Sequence, residues 1–313
     1  MDKLTLYSYA KLNLYLEVLN KRRDNFHNLV TLFERVSLRD TITLRRRRDK
    51  LIRISCGASG VPEDKTNLCA RSALLLREKY ALEYGFDIRI NKRIPVGAGL
   101  GGGSSNAAAV LLGINRLCRL RLPRKKLAEL GGEIGSDVPF FLYQSPFAAA
   151  SGRGEVIRPL TGLKKTRLWH ILVVPRIGVS TPFIYLKWDE SCGQRAALTP
   201  PPISKNYDDN RLVGGLTRPK YSVNILISTL RKRGFALNPE LFFNSLEEVT
   251  CRFYPEVKRV KHVLVRLGAK IVLMSGSGPA VFAVTASRKE AIVLRQGLIR
   301  AGRPWRVFAV KTL

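Results

Sequence analysis

Acidic residues are scarce in this sequence. Its 313 residues include 24 Asp and Glu against 54 Lys and Arg, which gives a formal net charge of +30. A charge of this sign attracts polyanions, whether nucleic acids, anionic membranes or phosphorylated small molecules. The basic residues are spread along the chain, with the densest run at Arg45–Arg48, as on an ordinary solvated surface. Neither a zinc motif nor an RNP-like aromatic string accompanies them, so the sequence does not favour nucleic acid as a partner.

Cysteine pairs and histidine clusters are also missing. The three histidines are scattered, and no CxxC spacing occurs. The five cysteines are odd in number and far apart: Cys56, Cys69, Cys118, Cys192 and Cys251. These spacings argue against a disulfide framework and against a structural zinc site. We therefore expect a reducing compartment, the cytoplasm, and no metal held by a site that the protein itself builds.

Long hydrophobic runs are absent too. No apolar stretch approaches the roughly 20 residues that a membrane-spanning helix needs. The first residues, MDKLTLYSYAKLNLYLEV, interrupt their apolar positions with Lys11, Asn13 and Glu17, unlike a signal peptide. The sequence thus predicts no association with a membrane.

The patterns of the first half predict an α+β protein. LTLYSYAKLNLYLEVL, DTITLRRRR, KLIRISC and FDIRINKRI have β-type patterns, and the last alternates clearly, as half-buried antiparallel strands do. NLCARSALLLREKYALEYG predicts a helix with Gly85 as its C-cap. SSNAAAVLLGINRL predicts a second helix, capped by Ser104 or Ser105.

The second half predicts a separate α+β unit. Strands are indicated by LWHILVVP, by the two halves of AKIVLMSGSGPAVFAVTAS and by WRVFAV, and helices by SVNILISTLRKRG and PEVKRVKHVLVRLG. The Pro-, Gly- and polar-rich stretch 191–220 predicts a loop. The length allows two domains, which we place at residues 1–161 and 162–313.

Five glycines crowd into the segment PVGAGLGGGSS at residues 95–105, although glycine opposes stability through its conformational entropy. A Walker loop is excluded because no Lys follows the glycines. A dinucleotide fingerprint fits poorly, because the preceding strand alternates and LCRLRL occupies the region where an acid is expected. What remains is a loop of backbone amides at a helix N-terminus, which binds phosphate. A glycine-rich turn without a ligand is the alternative.

Four motifs in order resemble the GHMP small-molecule kinases. PVGAGLGGGSSNAAA is similar to the second motif of that family, and SGSGPAVFAV to its third. The start YAKLNLYLEVLNKRRDNFHNLVTLFERVSLRDTI and the acidic motif GSDVPFFL resemble the members that phosphorylate a cytidine diphosphate methylerythritol alcohol for non-mevalonate isoprenoid synthesis. The resemblance covers nearly the whole chain. It implies a GHMP kinase fold, with an N-terminal domain like ribosomal protein S5 domain 2 and a ferredoxin-like C-terminal domain.

The resemblance also implies two catalytic residues. Asp137 in IGSDVPFF would orient the attacking hydroxyl or accept its proton, and Lys11 in YAKLNL would pair with Asp137 and stabilise charge on the transferred group. Taken singly, each residue has another interpretation. A strand lysine usually faces solvent, and an Asp after Ser136 can be a helix N-cap.

The remaining site residues implied by the resemblance divide into two groups. Asn13, Phe26, His27 and Tyr185 would contact the substrate, with His27 reading the cytosine and Phe26 replacing the usual Tyr. ATP, carrying Mg²⁺, would contact Asn67 on the adenine side and the following loop residues: Pro95, Val96, Gly97, Ala98, Gly99, Leu100, Gly101, Gly102, Gly103, Ser104 and Ser105. The implied partner is a small cytidine diphosphate substrate, and the chain is expected to be a monomer or weak homodimer. Rival interpretations are a homoserine-type or mevalonate-type kinase, or a basic nucleic-acid-binding protein on a kinase fold.

Overall fold

A long antiparallel hairpin forms the centre of the molecule. The computed structural model describes residues 2–196, 219–232 and 237–313. In the hairpin, strands β1 (Lys3–Lys21) and β2 (His27–Arg47) pair from Lys3↔Arg45 to Lys21↔His27. The turn between them contains Asn25 at a positive φ of 64°, a conformation that Asn tolerates better than most residues. Both strands are long enough to contribute to more than one part of the core.

The other strands extend this hairpin or form a second sheet. In chain order they are β3 (Ile52–Ser55), β4 (Gly85–Asn91), β5 (Phe147–Ser151), β6 (Val156–Pro159), β7 (Trp169–Val174), β8 (Phe243–Asn244), β9 (Ile271–Met274), β10 (Val281–Thr285) and β11 (Arg306–Lys311). The larger sheet has the order β3-β4-β2-β1-β8, with β5 beside β2 and β6 beside β5. The smaller sheet has the order β11-β7-β10-β9 and is antiparallel.

The helices of the described residues follow the same chain order. They are α1 (Leu68–Lys79), α2 (Gly102–Leu117), α3 (Arg124–Ile134), α4 (Val138–Tyr143), α5 (Thr181–Ala196), α6 (Val223–Arg231), α7 (Glu247–Phe253), α8 (Pro255–Arg266) and α9 (Arg288–Arg300). Helices α1 to α4 share a core cluster with the strand residues Ile42, Leu44, Phe86, Ile88 and Ile90. They cover one face of the larger sheet.

Helix α2 packs unusually close to the sheet because its sequence is rich in small residues. Ala107, Ala108 and Ala109 are all buried. A Cβ at Gly113 would lie 2.9 Å from the Leu44 side chain, which would have to shift to make room for it. The helix begins at Gly102 with Gly101 as its left-handed N-cap, at a φ of 66°. The predicted serine cap is therefore wrong. The serines lie inside the first turn, because the glycine run can bend the chain without a side-chain cap.

The smaller sheet has the connectivity β-α-β-β-α-β, running β7, helices, β9, β10, α9 and β11. This is the ferredoxin-like arrangement expected for the second half. The strands supply buried alternating residues to a core that includes α5, α8 and α9. The α+β class is confirmed in both halves.

The two sheets are joined by shared packing and by exchange of a strand. Strand β8 comes from the second half, yet its Phe243 pairs in parallel with Tyr15 of β1. The fully buried carboxylate of Glu34 lies 2.9 Å from Nε2 of His170 on β7. The hydroxyl of Thr312 donates to Glu34, with the two oxygens 2.5 Å apart. The two halves therefore share strands and buried polar contacts, and the domain boundary between residues 161 and 162 stays a prediction.

Two local expectations differ from the structure. Helix α1 ends at Lys79, and Gly85 is the first residue of β4. A Cβ at Gly85 would lie 2.1 Å from the carbonyl oxygen of Leu51. That glycine is required by the close approach of another backbone segment and caps no helix. The loop predicted for 191–220 is wrong for its first six residues, which belong to α5. Residues 197–218 of that loop lie outside the described residues.

The glycine-rich segment is docked onto the turn between β9 and β10. The Ser275 hydroxyl donates to the Gly99 carbonyl oxygen across 3.2 Å, and the Ala280 amide donates to that of Ala98 across 3.3 Å. A Cβ at Gly99 would lie 2.3 Å from the carbonyl oxygen of Ser275, and Gly99 has a positive φ of 74°. Gly97 also has a positive φ, of 64°, but nothing lies within 4 Å of its Cβ position.

This contrast gives a test of how tightly the segment is docked. Gly99→Ala must move backbone against backbone, so we expect it to lower the free energy of unfolding by about 2–4 kcal/mol. Gly97→Ala meets only the left-handed conformational cost, about 1 kcal/mol. Urea unfolding monitored by circular dichroism measures both. Equal losses for the two variants would contradict the docking of Gly99 against Ser275.

Candidate active site

The glycine-rich segment forms the wall of a cavity of 340 Å³. Every residue from Pro95 to Ser104 lines it, with Asn67 and Lys92 on other sides. The side chains of Ala98 and Leu100 are buried in the core, so these two residues can offer a ligand only their backbone. The Leu100 carbonyl accepts from the Lys11 amide across 3.0 Å, which ties the segment to β1. Amides of the first turn of α2 lack helical partners and are available to an anion.

Two predicted residues contribute less directly to this cavity. Asn67 caps α1: its Oδ1 accepts from the Cys69 amide across 2.8 Å, and its Nδ2 donates to the Pro62 carbonyl across 2.6 Å. Asn67 lines the cavity, but both polar atoms of its side-chain amide are already hydrogen-bonded to the protein. Ser105 is buried and lines neither this cavity nor the next, in contrast with its predicted place among the ATP contacts. Ser105 lies one residue further into α2 than Ser104, which lines both cavities.

Lys92 was not singled out by the sequence analysis. Its Nζ lies 2.5 Å from a carboxylate oxygen of the fully buried Asp40 and faces the start of α2, 3.0 Å from the Cβ position of Gly102. Asp40 also accepts from the amides of Arg93 and Ile94, across 2.7 and 2.8 Å. This network fixes the chain immediately before the glycine-rich segment and places a cation beside it.

A larger cavity, of 640 Å³, lies on the other side of the same segment. Gly99, Gly101 and Ser104 line both cavities, so a group bound at the segment is reached from either side. Lys11 and Asp137 also line the larger cavity. The Lys11 stem touches the segment, since a Cβ at Gly101 would lie 2.9 Å from its Cγ.

Lys11 is a buried cation held by three neighbours. Its Nζ lies 3.3 Å from Oδ2 of Asp137 and 2.9 Å from Oδ1 of Asn13, and 4.5 Å from the centre of the Phe33 ring. The Asn13 amide is itself oriented because its Nδ2 donates to the Thr31 hydroxyl across 2.9 Å. A buried charge is tolerated only when paired and hydrogen-bonded in this way. The solvent-facing interpretation of Lys11 is therefore excluded.

Asp137 lies at the N-cap position of α4, but its side chain makes no capping hydrogen bond. The carboxylate is 31% exposed and faces Lys11. The alternative of a purely capping Asp is thus excluded. Pro139, in the first turn of α4, has no backbone N–H that a capping side chain would bond. The Asp137 carboxylate can therefore face the cavity.

Predicted substrate residues line the far end of the larger cavity. The His27 ring stacks on the Tyr185 ring, with centroids 5.0 Å apart and planes 27° apart. Burial raises the pKa of Tyr185, and the negative charge of Asp137 adds to the increase, so its hydroxyl stays protonated. Phe26 is about half exposed, and the Arg153 guanidinium lies 4.9 Å from its ring centre.

The sequence analysis missed the carboxylate that holds His27. Asp189 Oδ1 lies 2.6 Å from His27 Nε2, and its Oδ2 lies 2.8 Å from Lys21 Nζ. Asp189 is four residues after Tyr185 on α5, so both project from one helix face. That spacing is the signal by which the sequence alone points to Asp189, once Tyr185 is chosen.

The arrangement suits transfer of a phosphoryl group. Amides at a helix N-terminus and the neighbouring Lys92 attract a polyphosphate. The buried Lys11 and the partly exposed Asp137 lie where the two cavities meet, and an aromatic and polar pocket lies beyond them. Within the described ranges, no group of three or more His, Cys, Asp or Glu side chains is placed to hold a metal ion. The helices described also include none long and apolar enough to cross a membrane.

Comparisons with known proteins agree with this geometry. The GHMP kinases N terminal domain model matches residues 67–145, and the GHMP kinases C terminal model matches residues 226–303. Relatives named 4-diphosphocytidyl-2-C-methyl-D-erythritol kinase include one from Moorella thermoacetica, 40% identical over 93% of each chain. Another, from Citrifermentans bemidjiense, is 39% identical over the full length of both.

Solved structures show the same fold. A crystal structure of 4-(cytidine 5'-diphospho)-2C-methyl-D-erythritol kinase covers 98% of both chains at 31% identity, with a TM-score of 0.74. A homoserine kinase from Cytophaga hutchinsonii is 20% identical, covers 100% of this chain and 95% of its own, and has a TM-score of 0.67, which shows the fold alone. The chain belongs to the GHMP kinase family of ATP-dependent small-molecule kinases and, within it, to the 4-diphosphocytidyl-2-C-methyl-D-erythritol kinases.

Proposed function

We propose that the chain transfers the terminal phosphoryl group of ATP to a hydroxyl of 4-diphosphocytidyl-2-C-methyl-D-erythritol and forms the 2-phosphate. The observation that carries the proposal is the position of the Lys11–Asp137 pair. It faces the larger cavity at the point where Gly99, Gly101 and Ser104 separate that cavity from the smaller one. A phosphoryl donor on one side and an alcohol on the other would meet there.

The smaller cavity takes ATP in this proposal. Backbone amides between Gly97 and Ser104 bind the polyphosphate at the positive end of the α2 dipole, and Lys92 adds a charge. Asn67 keeps the wall of the adenine side in place through its cap on α1. Mg²⁺ arrives with ATP and keeps to the phosphate oxygens and waters, as that ion generally does. No step is assigned to it.

Lys11 and Asp137 carry out the chemistry that the protein itself supplies. The Asp137 carboxylate accepts a hydrogen bond from the attacking hydroxyl and so orients its oxygen toward the phosphorus. An ordinary Asp is a far weaker base than an alkoxide, so full proton transfer comes late in a loose transition state. Lys11 lies 3.3 Å from Asp137 and stabilises negative charge that develops on the phosphoryl oxygens.

The far end of the larger cavity holds the cytidine group. Tyr185 and Phe26 provide aromatic surfaces for the base, and the Phe26 ring keeps stacking capacity without the hydroxyl of a tyrosine. Asp189 bonds one ring nitrogen of His27, which fixes the ring and leaves its other nitrogen for the substrate. Lys21 partly neutralises Asp189 from the opposite side. We place the reaction in the cytoplasm, consistent with the free thiols of Cys56, Cys69, Cys118 and Cys251.

Coupled ADP release with a substrate panel tests the proposal. We expect turnover with 4-diphosphocytidyl-2-C-methyl-D-erythritol and at least about a hundredfold lower kcat/KM with homoserine or mevalonate, which lack a base for the aromatic pocket. Preference for homoserine or mevalonate would contradict the proposed substrate but not the proposed kinase activity. Absence of any turnover would favour a protein that keeps the fold without the activity.

The roles of Lys11 and Asp137 are tested by Lys11→Met and Asp137→Asn, which keep side-chain size while removing charge. We expect kcat to fall by about 10²–10⁴ in each, because both act on the transition state. ATP affinity, measured with a fluorescent nucleotide analogue, should change by less than about threefold. Turnover within tenfold of the wild type in either variant would refute the assigned role.

The role of Asp189 as a positioning residue is tested by Asp189→Asn. We expect KM for the cytidine substrate to rise about tenfold, with kcat and KM for ATP nearly unchanged, because the residue acts on the ring of His27 at the binding end. Glu190→Gln is the matched control. It removes the same charge one residue away, from an exposed pair with Lys187, and should leave all three constants unchanged. Equal effects of the two variants would contradict the contact with His27.

A further inference from the structure

Among the residues that the structure describes, no helix covers one face of the larger sheet, and the side chains on that face are polar or tyrosine. In strands β3, β4, β2 and the first part of β1, the residues that alternate with the helix-covered ones point to this second face. We call it the open face. Its residues are Lys3, Thr5, Tyr7 and Tyr9 of β1, Arg39, Thr41, Thr43 and Arg45 of β2, Asp87, Arg89 and Asn91 of β4, and Arg53 and Ser55 of β3.

The strand register arranges these residues in rows. One row runs Lys3, Arg45, Asp87 and Arg53 across the four strands. The next row runs Thr5, Thr43, Arg89 and Ser55. Side chains on one face are about 7 Å apart along a strand, so the face extends about 20 Å from Lys3 to Tyr9. A surface of this length is too long for one mononucleotide and suits a chain of several units.

The open face is strongly positive. Five of its residues are basic and one is acidic, and that acid, Asp87, already bonds the guanidinium of Arg47 across 2.7 Å. Arg45, Arg53 and Arg89 are exposed. None of the thirteen residues is aliphatic, so the face offers nothing to insert into a lipid bilayer. The charge instead complements a flexible polyanion.

Aromatic rings lie within the positive charge. The Arg39 guanidinium stacks 3.7 Å from the centre of the Tyr7 ring, and Tyr7 remains 52% exposed. The Tyr9 ring is 6.5 Å from that of Tyr7. Arg35, at 5.7 Å from Tyr9, adds a further cation at this end. A planar guanidinium on an open ring forms a platform on which a nucleobase can stack.

The face is also concave. A cavity of 750 Å³ is formed over it by Thr41, Thr43, Ser55, Arg89 and Asn91, with the segment from Cys56 to Ala58 as its rim. Lys92 lines this cavity and the smaller cavity of the candidate active site. The cavity over the open face is therefore adjacent to the smaller cavity of the candidate active site.

We propose that the open face binds single-stranded nucleic acid. Exposed arginines contact the phosphates, Tyr7 with Arg39 stacks a base, and the threonine, serine and asparagine side chains bond sugar and base edges. The proposal does not depend on the substrate of the kinase site. No single stretch of the sequence combines these basic and aromatic residues. Here the rows bring together residues from four strands.

Fluorescence anisotropy with a labelled 15-nucleotide oligouridine, in a series of salt concentrations, tests the proposal on the full chain. The test variant carries three substitutions together: Arg45→Gln, Arg53→Gln and Arg89→Gln. The matched control variant carries Arg288→Gln, Lys289→Gln and Arg295→Gln on α9, and so loses the same charge from exposed positions elsewhere. We expect the test variant to bind at least about tenfold more weakly, and the slope of log K against log salt to fall by about 2. The control should lose less than threefold.

A separate variant, Tyr7→Ala, tests base stacking. It should weaken binding about tenfold and leave the salt slope unchanged, since no charge is removed. Kinase turnover in all variants verifies that they are folded. Equal losses in the test and control variants would show attraction by net charge alone and overturn the proposal. No effect of Tyr7→Ala, tighter binding of duplex than of single strand, or capture of phosphatidylglycerol vesicles in place of the oligonucleotide would overturn it too.

Discussion

The contact between Lys11 and the glycine-rich segment is the constraint on which the site depends. The lysine stem occupies the space that a Cβ at Gly101 would need, and its amide bonds the Leu100 carbonyl. Its ammonium group then reaches Asp137 at the start of α4. One side chain thus joins a strand, the glycine-rich segment and a helix end. A displaced segment would disturb the position of Lys11 beside Asp137.

Holding a cation in that position has an energetic cost that the surrounding residues offset. Lys11 is only 5% exposed, and an unpaired charge at such a site is strongly unfavourable. Asp137 and Asn13 provide the compensating charge and dipole. Asn13 is in turn fixed by Thr31, whose hydroxyl donates to the Tyr15 carbonyl across 2.6 Å. Lys11 and Asn13, two of the polar side chains that interrupt the apolar pattern of β1, therefore belong to one connected network.

Much of this molecule could be predicted from its sequence, for identifiable reasons. Lys11 broke a strand pattern, and five clustered glycines needed a ligand or a close backbone approach; both features are local and both lie in the candidate site. The serine cap of α2 was wrong because a left-handed glycine at Gly101 turned the chain three residues before Ser104. Asp189 was missed because its partners, His27 and Lys21, are distant in sequence. The open face was missed because strand register, which one strand's sequence cannot reveal, assembles its rows.

Residues of the first half form the Lys11–Asp137 end of the site, whereas the far end combines Phe26 and His27 of the first half with α5 of the second. The glycine-rich segment, Lys11 and Asp137 all belong to the first 161 residues, whereas Tyr185 and Asp189 lie on α5 of the second half. A homoserine kinase shares the fold at only 20% identity. Side chains of α5 at the far wall can change without disturbing the Lys11–Asp137 contact. That contact depends on the glycine-rich segment, whose position is held by the docking of Gly99 on Ser275. Substrate choice in this chain is therefore expected to reside in α5 and in the hairpin turn that it faces, while the phosphoryl-transfer chemistry is fixed by β1, α2 and α4.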